Sequence, residues 1–409
     1  MKRYRASWLY TGEGSPQENA MIDIEHGRIL GISFDTNDAI DLGEVAIVPG
    51  LINAHTHLEF SAITSPLEPL TNFPAWIRSV IRRRQESEFG IEASILSGLD
   101  ESRLSGVTSI AEIATKDWRN SLQIQESRSL PSKTLMFREY LGLSDEAAQS
   151  QLVDAEKFLQ ANCDAGFVAG LSPHAPYSLH PELFEDLCRL AKQYQAPLAM
   201  HLAESPAEIE LLQTGGGPLA EMLTEIGVYR PEFFANRLRP LDFLKRLDCG
   251  VPTLIIHGNL LNDEEMRFIS ESPSMSVVYC PRTHAAMQSS AHPWQKMIEL
   301  GINVTIGTDS RASNPDLSIW NELCFLAHQT PTLATSYLLK LSTVNAAKAL
   351  NLRDQGSLEN GKAANLCLIP LTKESSMNPE ESLLQPTASP QGIMMNGEWS
   401  VRPICLKKS

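Results

Sequence analysis

Cysteines are few in this sequence, and none of them stand in a recognisable motif. The seven occur at positions 163, 188, 249, 280, 324, 367 and 405, without any Cys-x-x-Cys pair. An odd, scattered set argues against a disulfide framework and against a zinc knuckle. We therefore expect a reducing compartment, in which isolated thiols stay free.

Positive charge is also scarce. Lysine and arginine total 34 against 49 aspartates and glutamates, which gives a formal net charge of −15. Because no basic run could follow a phosphate backbone, we expect no nucleic-acid partner. The acidic balance does not exclude an anionic substrate, since a pocket can carry its own arginine.

Long apolar runs are missing as well. No window approaches the roughly 18 apolar residues of a membrane-spanning helix. The first five residues, Met1–Arg5, are basic, but the apolar stretch after them is too short for a signal peptide. We expect a cytoplasmic protein without a membrane partner.

Short apolar runs alternate with amphipathic stretches along the body of the chain, which predicts parallel βα units. Closure into a (β/α)8 barrel, the TIM-like fold, gives the first and last strands a partner. A doubly wound open sheet is the alternative, but no glycine-rich nucleotide loop follows the first run. Eight runs are predicted as barrel strands: Leu51–His55, Thr108–Glu112, Thr134–Tyr140, Phe167–Leu171, Leu198–His201, Thr253–His257, Ser276–Tyr279 and Asn303–Ile306.

Both ends of the chain read as short strands joined by turns, which predicts one small β-sandwich domain formed from both termini. The barrel is expected to span residues 49–357, and the small domain residues 1–48 and 358–409. Within the barrel, the segment Leu202–Gly250 is too long for a simple crossover helix. Its length predicts a lid over the barrel mouth. The terminal strands are predicted at Met21–Ile24, Arg28–Ile32, Ala364–Leu368 and in a hairpin over Gly392–Val401.

Histidines and one aspartate stand at the ends of the predicted strands. His55 and His57 follow the first run, His201 and His257 end the fifth and sixth, and Asp309 follows the eighth. A lone His-x-His is weak evidence, because two surface histidines at a loop entry would look the same. In a barrel, however, all strand carboxyl ends meet at one face, so these five groups would converge. Neutral imidazoles with one carboxylate suit Zn²⁺ or Fe²⁺.

At this point the residues resemble a known family. Val48-Pro-Gly-Leu-Ile-Asn-Ala-His-Thr-His57, His201-Leu-Ala-Glu204, His257-Gly258 and Gly307-Thr-Asp-Ser310 are similar to motifs of the amidohydrolase superfamily. The branch in question contains the mononuclear deaminases and chlorohydrolases. They include S-adenosylhomocysteine and methylthioadenosine deaminases, guanine deaminase, aminofutalosine deaminase and s-triazine hydrolases. The similarity runs from about Met21 to the last strand.

The resemblance implies a metal bound by four side chains: His55, His57, His201 and Asp309. Binuclear branches carry a carboxylated lysine on the fourth strand, but Gly166–His174 has no lysine. One divalent metal is therefore expected, with Zn²⁺ preferred and Fe²⁺ as the alternative.

The resemblance also implies that Glu204 and His257 take part in the chemistry. The metal would activate a water, and Asp309 would ligate the metal and accept the proton of that water. Glu204 would protonate the ring nitrogen beside the attacked carbon and then the leaving amine. His257 would hold or polarise the attacking hydroxide. The alternative for Glu204 is a solvated carboxylate at a helix start.

Five further residues are candidates for substrate contacts. By the resemblance His174 contacts substrate, and the alternative is a structural loop histidine. Arg138 would bind an oxygen of the substrate or pair with Glu139. Trp76 would stack on a flat ring or anchor the core. His284 follows the seventh strand and is expected to face the mouth.

The fifth candidate, Glu59, arises from a departure. S-adenosylhomocysteine deaminases place a glutamate two residues before the tryptophan, where this chain has Pro74. Glu59 is an alternative polar group. The stretch Leu58–Ser61 resembles aminofutalosine deaminase, which makes aminofutalosine the leading specific substrate.

The expected function is hydrolytic deamination of an aminated purine-type or related nitrogen heterocycle, such as an adenosine-type nucleoside. Chlorohydrolysis of an s-triazine, or hydrolysis of an amide or cyclic imide, are alternatives on the same site. Glu204 favours deamination, because ring-nitrogen protonation needs an acid. A third alternative is an inactive barrel that acts as a binding protein. A homodimer is a family-level expectation.

Overall fold

The computed structural model describes residues 1–35, 38–86, 90–118, 121, 130–161, 167–287, 290–372 and 377–407. Cys163 and Gly166 of the sequence analysis lie outside these residues. None of the described helices combines the length and apolarity that crossing a bilayer requires.

A parallel eight-stranded sheet forms the centre of the molecule, with each strand paired to its neighbours in chain order. The first and last strands meet where the backbone N–H groups of Thr308 and Asp309 both donate to the carbonyl oxygen of His55, at 3.1 Å each. The predicted barrel is thus confirmed. Its strands are β8 (Leu51–Thr56), β9 (Val107–Ala114), β10 (Lys133–Tyr140), β11 (Phe167–Pro173), β12 (Leu198–Leu202), β13 (Thr253–His257), β14 (Met275–Tyr279) and β15 (Asn303–Ile306).

These strands form because their sequences suit a sheet that is covered on both faces. Every residue of β8, β9, β12, β13 and β14 is buried, as expected for parallel strands between a packed barrel interior and a helical layer. The described helices are α1 (Phe73–Glu86), α2 (Ile91–Leu104), α3 (Asp145–Gln160), α4 (Pro181–Tyr194), α5 (Pro206–Thr214), α6 (Pro218–Glu225), α7 (Pro240–Leu247), α8 (Asp263–Glu271), α9 (Pro281–Met287), α10 (Trp294–Glu299), α11 (Ile319–Gln329), α12 (Thr335–Leu341), α13 (Val344–Ala349) and α14 (Pro379–Ser382).

Helix α4 illustrates how the covering helices are specified. It begins with proline at its first position, where no intrahelical N–H is needed, and the His180 side chain accepts from the Glu182 N–H. Leu183, Leu187 and Leu190 return at helical spacing and are buried against the barrel. The helix ends at Gln195 in the left-handed conformation, which stops the turn.

Two smaller sheets are assembled from the chain ends. Their facing sides share a core that includes Ile22, Ile29, Leu366 and Met394, so the predicted sandwich from both termini is confirmed. The strands are β1 (Lys2–Arg5), β2 (Trp8–Leu9), β3 (Gln17–Glu18), β4 (Met21–Glu25), β5 (Arg28–Ser33), β6 (Ile40–Asp41), β7 (Val45–Pro49), β16 (Leu366–Pro370), β17 (Gly392–Met395) and β18 (Glu398–Val401). One sheet has the order β5-β4-β1-β6 and the other β18-β17-β16-β7-β2-β3.

The long segment after β12 lies beside the barrel mouth. It contains α5, α6, a 3-10 turn at Pro231–Phe234, and α7. Helix α6 approaches α1 from the other side of the mouth, and Arg78 of α1 forms an ion pair with Glu225 of α6. These two helices therefore flank the entrance to the barrel.

Candidate metal and catalytic site

Three histidines meet at the carboxyl end of the barrel. His55 and His57 lie two residues apart at the end of β8, so their side chains point to the same side. His201 comes from β12, and its Nε2 lies 3.3 Å from Nε2 of His57. One ring nitrogen from each of the three lies within 4.8 Å of the others.

Asp309 adds a carboxylate to this group. Its Oδ1 lies 3.5 Å from Nε2 of His55 and 3.7 Å from Nε2 of His57. The loop after β15 presents it in the left-handed conformation, with φ of 58°. Its Oδ2 accepts a hydrogen bond of 2.7 Å from the Ser313 hydroxyl. Burial opposes ionisation, but the close approach of His55, followed by His257 and His57, outweighs it and lowers the pKa of Asp309.

Two of the three imidazoles favour the neutral form, in which a ring nitrogen can bind a cation. Burial, together with the neighbouring imidazoles, lowers the pKa of His57 well below its ordinary value and that of His201 to about 3. Within the described residues, both ring nitrogens of His55 and Nδ1 of His57 are buried without a hydrogen-bond partner. Nδ1 of His201 lies 3.0 Å from the carbonyl oxygen of His174, which turns Nε2 inward. Three imidazoles and one carboxylate fit a divalent metal ion.

Glu204 and His257 lie next to this cluster. The Glu204 carboxylate approaches Nε2 of His257 at 3.5 Å. Burial, reinforced by the negative charges of Asp309 and Glu208, raises the pKa of Glu204 well above its ordinary value. Burial lowers the pKa of His257 well below its ordinary value. The site therefore combines a carboxyl group whose pKa is raised with an imidazole whose pKa is lowered.

The backbone around Glu204 is firmly anchored. Ala203 takes the left-handed conformation, with φ of 55°. The Glu208 carboxylate accepts from the N–H groups of Ala203 and Glu204, both at 2.8 Å. The Asn259 side chain donates to the Glu204 carbonyl oxygen at 2.9 Å. Hydrogen bonds to its N–H group and to its carbonyl oxygen therefore fix the backbone of Glu204.

A cavity of about 250 Å³ leads from these groups to the surface between α1 and α6. Trp76 lines it, donates from its indole N–H to the Ala312 carbonyl oxygen, and stacks on Phe73. His174 also lines it, with Nδ1 2.6 Å from the Ser178 hydroxyl. Burial, followed by the charge of Arg84, lowers the pKa of His174 to about 3.

The other three residues predicted to contact substrate do not reach the cavity wall. Arg138 turns outward on β10, where it pairs with Asp154 and covers the Tyr140 ring. Glu59 lies in the turn after β8 and binds Arg84. The His284 ring packs against Tyr279 and His292 and lies outside the lining residues.

Sequence reasoning missed Arg84, Glu208 and Ser313. Arg84 falls eight residues after Trp76 on α1, and this helical spacing puts both on the face toward the cavity. Ser205 and Glu208 have the Ser-x-x-Glu spacing of a helix start, and Ser205 does cap α5. Glu208 departs from the usual pattern, because its carboxylate serves the backbone of Glu204. No sequence signal singles out Ser313.

A comparison with protein families matches residues 46–400 to the amidohydrolase family. The chain belongs to that family. The match covers the whole barrel and most of the carboxyl-terminal part of the β-sandwich. The resemblance that the motifs predicted is therefore confirmed.

Similar proteins agree with this assignment. A 5-methylthioadenosine/S-adenosylhomocysteine deaminase of Bacillus cereus is 27% identical over 389 residues, covering 90% of this chain and 82% of the relative. The structure of Helicobacter pylori aminofutalosine deaminase in complex with methylthio-coformycin matches with a TM-score of 0.82 and 22% identity, covering 98% of this chain and all of that one. Atrazine chlorohydrolase of Arthrobacter aurescens, complexed with zinc, matches with a TM-score of 0.77 and 21% identity, over 99% and 96% of the two chains.

The two solved structures establish the fold. The family match and the deaminase relatives identify the chain as a hydrolase that acts on C–N bonds, as the sequence predicted. The three histidines of the cluster could together hold a metal ion.

Proposed function

We propose that this chain hydrolytically deaminates an aminated purine-type heterocycle with the help of one divalent metal ion. The proposal rests on the arrangement of side chains at the inner end of the cavity. There, a cluster suited to a cation adjoins the Glu204 carboxyl group, whose raised pKa favours the protonated form. Hydrolytic deamination needs both features, an activated water and an acid for the ring nitrogen.

His55, His57, His201 and Asp309 are the residues that would hold the metal, with Zn²⁺ preferred because imidazole nitrogens dominate the set. When bound there, the metal would lower the pKa of a water so that hydroxide is available near neutral pH. Strand β11, Phe167–Pro173, carries no lysine that could bridge a second ion. This supports a single metal.

Glu204 is proposed as the acid. Its proton passes to the ring nitrogen beside the amino-bearing carbon, which makes that carbon accept the water oxygen. Asp309 is anionic and accepts a proton from the attacking water. The tetrahedral carbon then carries a hydroxyl group and an amino group. Glu204, now a carboxylate, takes the hydroxyl proton and passes it to the amino group, so the C–N bond breaks, ammonia leaves and the oxygen becomes a carbonyl. The proton held by Asp309 then restores the acid form of Glu204.

His257 and His174 are proposed to orient the reactants. His257 is neutral and next to Glu204, so its ring can hydrogen-bond the attacking oxygen without competing for the proton. His174 lines the cavity beside His201, and their ring centroids lie 4.9 Å apart. Trp76 offers an indole wall for a flat ring.

The substrates named for relatives supply the first candidates. They are 5-methylthioadenosine and S-adenosylhomocysteine for the Bacillus cereus protein, and aminofutalosine for the Helicobacter pylori enzyme. All are adenosine-type nucleosides, so an exocyclic amine on a purine is the common reacting group. We propose this class for the chain.

The test combines metal analysis with ammonia release from aminopurines, adenosine-type nucleosides, aminotriazines and chlorotriazines. We expect about one metal ion per chain and ammonia from a nucleoside. Glu204→Gln, which keeps the shape but cannot donate the carboxylic proton, is expected to keep the metal and lose about 10²–10⁴-fold in turnover. Full activity of this variant would refute the role of Glu204. Chloride release without ammonia would instead favour the triazine alternative, and a metal-free inert protein would favour a binding role.

A further inference from the structure

One cationic side chain lines the described part of the cavity, and it is already paired with carboxylates. Among the described residues that line the cavity, Arg84 is the only arginine or lysine. Its Nη2 lies 2.8 Å from a Glu59 carboxylate oxygen and 3.0 Å from a Glu139 carboxylate oxygen. The Glu139 side chain is fully buried and that of Glu59 is 9% exposed. Arg84 is therefore clamped between two carboxylates that are largely withdrawn from water.

This clamp changes what the cavity can bind. One guanidinium between two carboxylates leaves a net negative charge beside the cavity. A substrate carboxylate entering the cavity would meet this field, and it would be a third anion on one guanidinium unless Arg84 gave up a buried partner. Separating a buried pair leaves an uncompensated charge, which is strongly unfavourable.

The outer part of the cavity is apolar. Ile77 and Val80 of α1 face Met222 and Leu223 of α6 across it. At the rim, Leu141, Ile226 and Val228 belong to the same lining but are 39%, 43% and 39% exposed. Large apolar side chains grouped and exposed in this way mark a surface that an apolar ligand covers. Because this surface continues from the reacting groups, its occupant is the substituent of the substrate itself.

We propose that the chain selects heterocycles whose substituent is uncharged and apolar and extends to the rim, and that Glu59 sets this preference by neutralising Arg84. The inference rests on the proposed deaminase function, since it concerns the far end of the same substrate. It assigns Glu59 a role through Arg84, whereas the sequence suggested direct contact with substrate. Glu59 is a specificity-determining residue, not a catalytic one.

Two adenosines with 5′ substituents of similar length test the proposal. One carries a hexylthio group and the other a 5-carboxypentylthio group, so that they differ chiefly in charge. The hexylthio probe is expected to have a kcat/KM at least about 100-fold higher, because the cavity offers the carboxylate no unpaired cation. Equal values, or a preference for the carboxylate probe, would overturn the inference while leaving deamination intact.

Glu59→Gln examines the clamp directly. Glutamine keeps the shape and one acceptor for Arg84 but removes one negative charge. The preference for the hexylthio probe is expected to fall about tenfold, through a gain on the carboxylate probe. Glu139→Gln gives a second measurement if the first variant is unstable. The control is Glu146→Gln, which removes one charge from an exposed position in the first turn of α3 and is expected to leave the ratio unchanged.

The readouts separate the inference from a structural role and from the proposed function. A purely structural effect of Glu59→Gln would lower kcat/KM for both probes equally, and that outcome contradicts the inference. If neither probe releases ammonia, deamination of such nucleosides is refuted. Titration calorimetry of the same two probes then still decides specificity, and tighter binding of the carboxylate probe would refute the inference.

Discussion

Replacing Glu208 with glutamine is expected to change how the stability of the protein depends on pH. Burial raises the pKa of Glu208 from 4.5 to about 7, although backbone hydrogen bonds from Glu204 and Ala203 favour the charged form. The folded state therefore binds this proton more tightly than the unfolded state does. Its contribution to stability is complete below about pH 4.5 and is lost as the pH rises through 7.

The magnitude follows from the shift. A rise of this size corresponds to about 3 kcal/mol in the free energy of unfolding between pH 4 and pH 8, and the fully buried position needs no discount for solvent. Glutamine cannot titrate, so the variant lacks this fall. It also loses one acceptor for the Ala203 and Glu204 N–H groups, which adds a cost that does not depend on pH.

The assay is denaturant unfolding of both proteins at several pH values across this range. The difference in free energy of unfolding, variant minus wild type, is expected to rise with pH by about 3 kcal/mol. Glu210→Gln removes the same charge from the exposed side of α5 and serves as the control. Parallel curves for wild type and the Glu208 variant would refute the reasoning.

Three other predictions concern the metal cluster. Ser313→Ala removes the hydroxyl that donates to Asp309, and we expect about 10–100-fold weaker zinc binding in a chelator competition, with wild-type affinity counting against it. Gly307→Ala places a Cβ 2.8 Å from the backbone nitrogen and oxygen of His55, so we expect loss of metal binding and a lower melting temperature. Gly31→Ala is the control, because its Cβ would have no neighbouring atom within 4 Å. Dialysis against a chelator is expected to abolish ammonia release and lower the melting temperature, with zinc restoring both; activity that survives chelation would exclude the proposed metal.

The barrel could be predicted because each strand is a short run of buried apolar residues with a clear end. Thr253–His257 and Asn303–Ile306 have the predicted bounds, and Phe167–Pro173 is two residues longer than expected. In the β-sandwich, β16 begins at Leu366 and not at Ala364. There, Ala364 donates its N–H to Gly27 and the Asn365 side chain accepts from the Asn396 N–H, contacts that the local sequence does not reveal.

The metal cluster could be anticipated because its residues sit at strand ends, where topology alone decides that they meet. The direction of individual side chains could not be predicted from the sequence. Arg138 and Glu139 are adjacent on β10, yet Glu139 turns inward to Arg84 and Arg138 turns outward to Asp154. The choice depends on which partner lies across the space, and those partners come from distant helices. The domain boundaries at 48/49 and 357/358, the homodimer and the cytoplasmic location stay predictions.

The seam between the first and last barrel strands has a consequence for folding. The carbonyl oxygen of His55 accepts both N–H groups that join the strands, and the Thr56 hydroxyl donates to the carbonyl oxygen of Asp309, 253 residues away. Closure of the barrel and the placement of Asp309 therefore depend on the same hydrogen bonds. A nascent chain in which β15 has not yet been synthesised also lacks Asp309, so its site is incomplete. Hydrogen exchange of the Thr308 amide therefore reports both the opening of the barrel and the loss of the site geometry.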